Sequence, residues 1–251
     1  MENNFAILLR LFLFHILGDF FFQTKRIAEK KAENGNNAIK YLLMHSMIQG
    51  VLSWLAIWNI SAWWVGLSVF VTHTLIDYFK IKIKGKEITK FVVDQILHIS
   101  ILILLWRIYC GNIINLSFNF SQEKILVLII GVLLLFKPSS ILISLFTKQW
   151  RDKIVDDTSD CEQQSHSDDN HQYQKQELEN AGTWIGYFER LLTFIFILSG
   201  MYEAIGFLIA AKSILRINQK NERKATEYIL IGTFMSFTIA ISIALIVRFM
   251  L

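Results

Sequence analysis

FAILLRLFLFHILGDFFFQTKRIAEKK, residues Phe5 to Lys31, opens with an apolar run whose only ionisable side chains are Arg10, His15 and Asp19, then passes into Lys25, Arg26, Lys30 and Lys31. A hydrocarbon core of about 30 Å is crossed by roughly 20 apolar residues in a helix. Phe5 to Phe22 meets that length, and the basic residues behind it mark a cytoplasmic end by the positive-inside rule. His15 and Asp19, with no small-residue cleavage site, argue for a retained helix over a cleaved signal.

Further stretches of the same character run from Ile39 to Trp58, Ser61 to Phe79, Phe91 to Tyr109, Ile125 to Phe146, Leu191 to Ala211 and Tyr228 to Val247. The expectation is an all-α, polytopic membrane protein with about seven transmembrane helices. Strands of an outer-membrane barrel would alternate with a period of two, which these runs do not. Of the 251 residues, 53% are hydrophobic and only 18% charged, which excludes disorder and a soluble disulfide scaffold. The basic residues cluster beside apolar spans, so they report orientation and not nucleic-acid binding. Cys110 closes an apolar span while Cys161 lies in a polar loop, and no disulfide is expected between them.

Three parts follow: an N-terminal membrane bundle (1–147), a polar, acidic cytoplasmic linker (148–182) and C-terminal membrane helices (183–251). The linker mixes Ser, Gln, Asp and His without apolar periodicity and reads as solvated and partly disordered. One charge conflict arises. Lys212, Arg216, Lys220, Arg223 and Lys224 would fall outside after seven simple crossings. One span must then be counted differently, the candidates being Ile125–Phe146, interrupted by Lys137 and Pro138, and a bent or re-entrant 184–211.

Ionisable residues within spans are costly and usually face a protein interior. His15 with Asp19, His73 with Asp77, and Asp94 with His98 each stand four residues apart on one helix face, and the second span adds His45. Measured from the cytoplasmic helix ends at about 1.5 Å per residue, the histidines share a layer roughly 9–10 Å deep and the aspartates one at about 3–5 Å. The order reverses on the fourth span because that helix runs the other way. Such a set suits a divalent metal, zinc first, with manganese or iron also matched. His15, His45, His73 and His98 are the expected ligands; Asp19, Asp77 and Asp94 divide among ligand, ring orienter and general base. The competing readings are interhelical polar clamps and an ion or proton pathway.

Gly18 permits either close packing or approach to a ligand, while Gln23 and Gln95 read as interfacial hydrogen-bonders. Farther on, Lys212 and Arg216 are either snorkelling helix-end charges or an anionic head-group site, and Glu189 with Arg190 suits an ion pair inside the bundle. His166 and His171 read as solvated linker residues, and Trp54, Trp58, Trp63 and Trp64 as an aromatic belt at the outer surface. No P-loop, G-x-S-x-G elbow, H-E-x-x-H or cysteine zinc framework is present.

HILGDFFFQTKRIAEKK from His15, LLMHS around His45, THTLIDYFKI from Thr72 and FVVDQILHI from Phe91 together resemble the bacterial inner-membrane family of unknown function numbered 3307. GTWIGYFERLL from Gly182, AAKSILR from Ala210 and EYILIGTFMS from Glu227 resemble the extension of its longer members. The resemblance implies a multi-pass protein of the bacterial cytoplasmic membrane and supplies no mechanism. The His and Asp pattern is also loosely similar to membrane-bound metal-dependent hydrolases of bacteria, whose ligand order differs. The leading functional expectation is a metal-dependent hydrolase acting on a lipid-linked or membrane-proximal substrate. The alternatives are a divalent-metal or proton transporter and a non-enzymatic membrane scaffold. The partners expected are the lipid bilayer and that substrate, with no nucleic acid; the chain sets no oligomeric state.

Overall fold

The computed structural model describes residues 4–32, 36–111, 122–159, 169–217 and 223–251, and among them every regular element is a helix. The protein is all-α and polytopic. Among the described residues, five helical stretches are long and apolar enough to cross a membrane: Asn4–Phe22, Ile60–Lys82, Glu87–Cys110, Gln122–Lys148 and Leu230–Met250. The chain divides into compact units at Ile130 and Gly131, so the apolar run of 125–146 belongs partly to each, where a boundary at the linker was expected.

In the first unit, α1 (Asn4–Ile16) continues into a π-helical segment (Leu17–Phe22) and is followed by α2 (Lys25–Ala32), α3 (Asn36–Ile57), α4 (Trp63–Lys82) and α5 (Glu87–Cys110). α1 packs on α3, α3 on α4, α4 on α5 and α5 back on α1, closing a four-helix ring, with α2 laid against α3.

The burial pattern is inverted relative to a water-soluble bundle. On α3 the large apolar residues Ile39, Leu43, Met47, Val51 and Leu55, each four apart, are exposed, whereas His45, Ser46, Gln49 and Ser53 are buried. On α4, Leu67, Val71, Leu75 and Phe79 face out while Val65, Val69, His73 and Asp77 face in. An apolar stripe of this extent exposed to water would drive aggregation; exposed to lipid it is at equilibrium. The polar inner face explains why α3, although it has 22 residues, is not among the stretches apolar enough to span. α3 and α4 approach until a Cβ added at Gly50 would meet the Gly66 carbonyl oxygen at 2.7 Å, and the reverse holds at Gly66. Membrane helices that associate by packing use such small-residue contacts. Farthest from the basic loops, Ile7, Leu11, Ile57, Val65, Leu102, Leu105 and Trp106 fill the interior. Trp58 and Trp63 project at the α3–α4 turn, where an aromatic belt is expected.

The second unit is built on α7 (Lys137–Ser159), α8 (Asp169–Leu198), α9 (Tyr202–Ile217) and α10 (Arg223–Met250), preceded by α6 (Gln122–Leu135). α10 packs on α7 and α8, and α8 on α9. α6 and α7 break at Phe136 because Pro138 has no N–H to offer the Leu134 carbonyl. Ser139 Oγ donates to that oxygen at 2.5 Å instead, and Arg190 Nε donates to the Leu135 carbonyl at 2.6 Å.

Two sequence expectations are corrected in this unit. The span expected from Leu191 to Ala211 is not one helix: α8 ends in a Schellman turn, with Met201 N–H donating to Phe196 O at 2.8 Å, Gly200 N–H to Ile197 O at 3.1 Å, and Gly200 at φ 74°. The chain doubles back there, Lys212 pairs with Glu189, and Arg248 Nη1 donates to Ile197 O at 3.0 Å beside the turn. Lys212 therefore returns to the level of Glu189. The polar stretch of 148–182 is also more helical than its composition suggests, since α7 runs through it to Ser159 and α8 enters it from Asp169. Cys161 and His166 lie outside the described residues, as do the side chains of His171, Arg216 and Glu227.

Candidate functional site

Each helix of the four-helix ring contributes one histidine, His15 from α1, His45 from α3, His73 from α4 and His98 from α5, and all are at most 4% exposed. The ring centroids lie close together: 4.0 Å for His73–His98, 5.0 Å for His45–His73, 5.4 Å for His15–His98 and 6.0 Å for His15–His73.

Asp19 is the hub. Its Oδ1 lies 3.3 Å from His45 Nε2 and 3.4 Å from His73 Nε2, and its Oδ2 lies 3.8 Å from His15 Nε2. His45 Nε2 and His73 Nε2 are themselves 3.1 Å apart. Gln95 Nε2 donates to Asp19 Oδ2 at 3.0 Å and to Asp94 Oδ2 at 3.3 Å, while Gln49 Nε2 donates to Asp19 Oδ1 and, at 3.2 Å, to the His15 carbonyl. Asp19 occupies the π-helical segment, which carries five residues per hydrogen-bonded step in place of four and re-aims the side chain; single π-turns recur at functional sites. Gly18 has a local reason. A Cβ there would meet Gln49 Nε2 at 2.5 Å, so the glycine leaves room for the amide that holds Asp19. Of its two sequence readings, close approach of a polar side chain is the one realised.

The other carboxylates are held by lysines. Asp77 Oδ2 lies 3.8 Å from His73 Nε2 and 3.9 Å from His45 Nε2 and accepts from Lys31 Nζ of α2. Asp94 accepts from Lys80 Nζ at 2.7 Å and sits 3.7 Å from His98 Nδ1. Gln23, with its amide oriented by its neighbours, donates to the Asp19 carbonyl at 3.0 Å and accepts from Lys31 at 3.2 Å. Lys31, Lys80 and Gln49 were not foreseen as site residues. In sequence, the lysines look like orientation charges; the signal for them is that aspartates only about 3–5 Å inside a helix end are within reach of a snorkelling ammonium.

The hydrogen bonds do not saturate the cluster. Among the described residues His15 Nε2, Gln49 Oε1, Asp94 Oδ1 and both ring nitrogens of His98 are buried without a hydrogen bond. Buried polar atoms are nearly always satisfied, and a group of exceptions in one place points to something else that occupies it. Three overlapping sets bring donor atoms within 4.8 Å of one another: His15, Asp19 and His73; His45, His73 and Asp77; and Asp77, Asp94 and His98.

The second polar set lies in the other unit. Glu189 is paired with Lys212, whose Nζ also sits 5.9 Å from the Phe237 ring centroid, and Arg190 donates to Ser140 Oγ at 2.7 Å and Ser236 Oγ at 3.2 Å besides Leu135 O. Of the expected head-group pair, Lys212 thus has an internal partner and the Arg216 side chain lies outside the described residues.

Fold and site together define a polytopic α-helical membrane protein with a buried, incompletely satisfied His/Asp cluster inside its N-terminal four-helix ring. The chain belongs to the family described as protein of unknown function (DUF3307), which matches residues 7–150 and so takes in every member of the cluster. No curated protein and no solved structure matches the chain.

Proposed function

We propose that the cluster is a divalent-metal site, zinc by its nitrogen and oxygen donors and with manganese or iron also suited, in a bacterial cytoplasmic-membrane protein that hydrolyses a lipid-linked or membrane-proximal substrate. One observation carries the reading. His45 Nε2, His73 Nε2 and Asp19 Oδ1 form a triangle with edges of 3.1, 3.3 and 3.4 Å. Ligands bonded at about 2.0–2.1 Å in a tetrahedron stand about 3.3–3.4 Å apart, so these atoms span one face of a zinc-sized polyhedron. His15, His98 and Asp94, with their unsatisfied atoms, are the adjacent donors.

His45, His73 and Asp19 would hold such a metal, and the chemistry it would supply is the activation of water near neutral pH. The chain's own groups do the rest. Asp19 is fixed by Gln49 and Gln95, whereas Asp77 and Asp94, each tied to a lysine, are the carboxylates able to accept a proton once the lysine turns to an incoming anion. Three carboxylates against two lysines leave one negative charge, so a bound dication would make the centre positive and would favour an anionic substrate.

A transporter would need a path to the opposite face, and the apolar packing of Leu11, Val65, Leu102 and Leu105 offers none. The scaffold reading draws on the lysine–aspartate pairs, which neutralise much of the cluster without an ion. Metal analysis of detergent-purified wild type and His73→Ala separates the two. About one equivalent or more in the wild type, lost in the variant, is expected; a fully folded wild type that stays metal-free after zinc and manganese loading overturns the proposal.

A further inference from the structure

A cavity of about 460 Å³ lies between α4 and α5, open at the basic end of the bundle. Its length is apolar, lined by Leu75, Ile76, Phe79, Val93, Leu97 and Ile101, and its mouth carries Lys80, Lys84, Lys86 and Lys90. From Lys90 to Ile101 the rise is about 16 Å, which matches one leaflet of a hydrocarbon core about 30 Å thick. The side chains of Lys84 and Lys86 are exposed, and their ammonium groups have no hydrogen-bond or ion-pair partner among the described residues. By contrast Lys90 is shared with Glu87 at 3.2 Å and Lys80 with Asp94 at 2.7 Å.

We propose that this groove binds one anionic phospholipid whose head group carries no compensating cation, its acyl chain laid along Phe79, Leu97 and Ile101 and its phosphate held by Lys84 and Lys86. Two features select that occupant. Both walls belong to helices apolar enough to span a membrane, so the groove faces acyl chains, and unpaired ammonium groups at its mouth complement a phosphate at the head-group level. The groove is also continuous with the His/Asp cluster, because Lys80 and Asp94 line its wall. A phosphate that draws Lys80 away from Asp94 would expose that carboxylate beside His98. Use of the groove for substrate delivery rests on the metal reading; binding of the lipid does not.

Native mass spectrometry of the full chain released from detergent, titrated with phosphatidic acid, phosphatidylcholine or inorganic phosphate, tests the site. One phosphatidic acid should be retained where phosphatidylcholine is lost, and Lys84→Ala with Lys86→Ala should weaken retention about tenfold or more at unchanged helix content. Leu97→Trp, filling the groove, should act in the same direction. Equal retention of both lipids, an unchanged double variant, or full displacement by inorganic phosphate at equal concentration each overturns the proposal, the last by assigning the lysines to free phosphate. His73→Ala keeps the lipid if the groove is as described, even if the wild type proves metal-free, so failure of one reading is distinguishable from failure of the other.

Discussion

The N-terminal ring and the C-terminal unit both place charged side chains among apolar helices, yet they finish the task differently. In the C-terminal unit Arg190 has three acceptors, the Leu135 carbonyl, Ser140 and Ser236, and Glu189 has Lys212. In the ring, among the described residues, His98 has no hydrogen bond on either nitrogen and His15 and Asp94 each keep an unsatisfied buried atom. A saturated charge repairs the backbone broken at Pro138 and fixes a fold; a cluster with buried, unsatisfied polar atoms keeps donors and acceptors open, which is what the proposed metal site draws on.

That contrast predicts opposite phenotypes. Arg190→Ala strands three acceptors, and at about 0.6–1.7 kcal/mol per interhelical hydrogen bond the loss is roughly 2–5 kcal/mol in a detergent or bicelle unfolding measurement. Its metal content should not change. His98→Ala removes a ring that makes no hydrogen bond, so its stability without metal should move by less than Arg190→Ala while metal affinity falls. If His98→Ala unfolds the protein as severely and leaves metal untouched, the distinction between the two units is wrong.

Much of the ring was legible beforehand, because helix rise and alternating direction are rigid enough to convert residue spacing into depth. His15, His45, His73 and His98 could be assigned a common layer from those constants alone, and their rings do lie together. What escaped depends on departures from the regular helix. The π-turn around Asp19 leaves no composition signal, and Ser199 and Gly200 sit inside an otherwise continuous apolar run, so the Schellman turn that reverses the chain was concealed. Gln49 was hidden for another reason. A lone amide in a membrane span has many uses, and only the missing side chain at Gly18 on another helix shows where it points.

Gln49 and Gly18 offer a finer test of whether the ring is built around a ligand. Groups that hydrogen-bond to metal ligands typically tune affinity 10–100-fold, so Gln49→Leu, which frees Asp19 Oδ1 from its amide, should weaken zinc binding within that range in a competition titration.

Gly18→Ala carries the smallest expected change. The added Cβ would lie 2.5–2.7 Å from the Gln49 amide atoms, and because that amide ends a flexible side chain it can swing aside while the backbone stays. The loss in zinc affinity should be about tenfold, the low end of the same range, since Gln95 still holds Asp19. If the glycine acts only through that amide, Gly18→Ala adds nothing in a Gln49→Leu background, and the double variant binds zinc as the single one does. Additive losses would instead mean that Gly18 serves the π-turn itself, and the contact with Gln49 would be incidental.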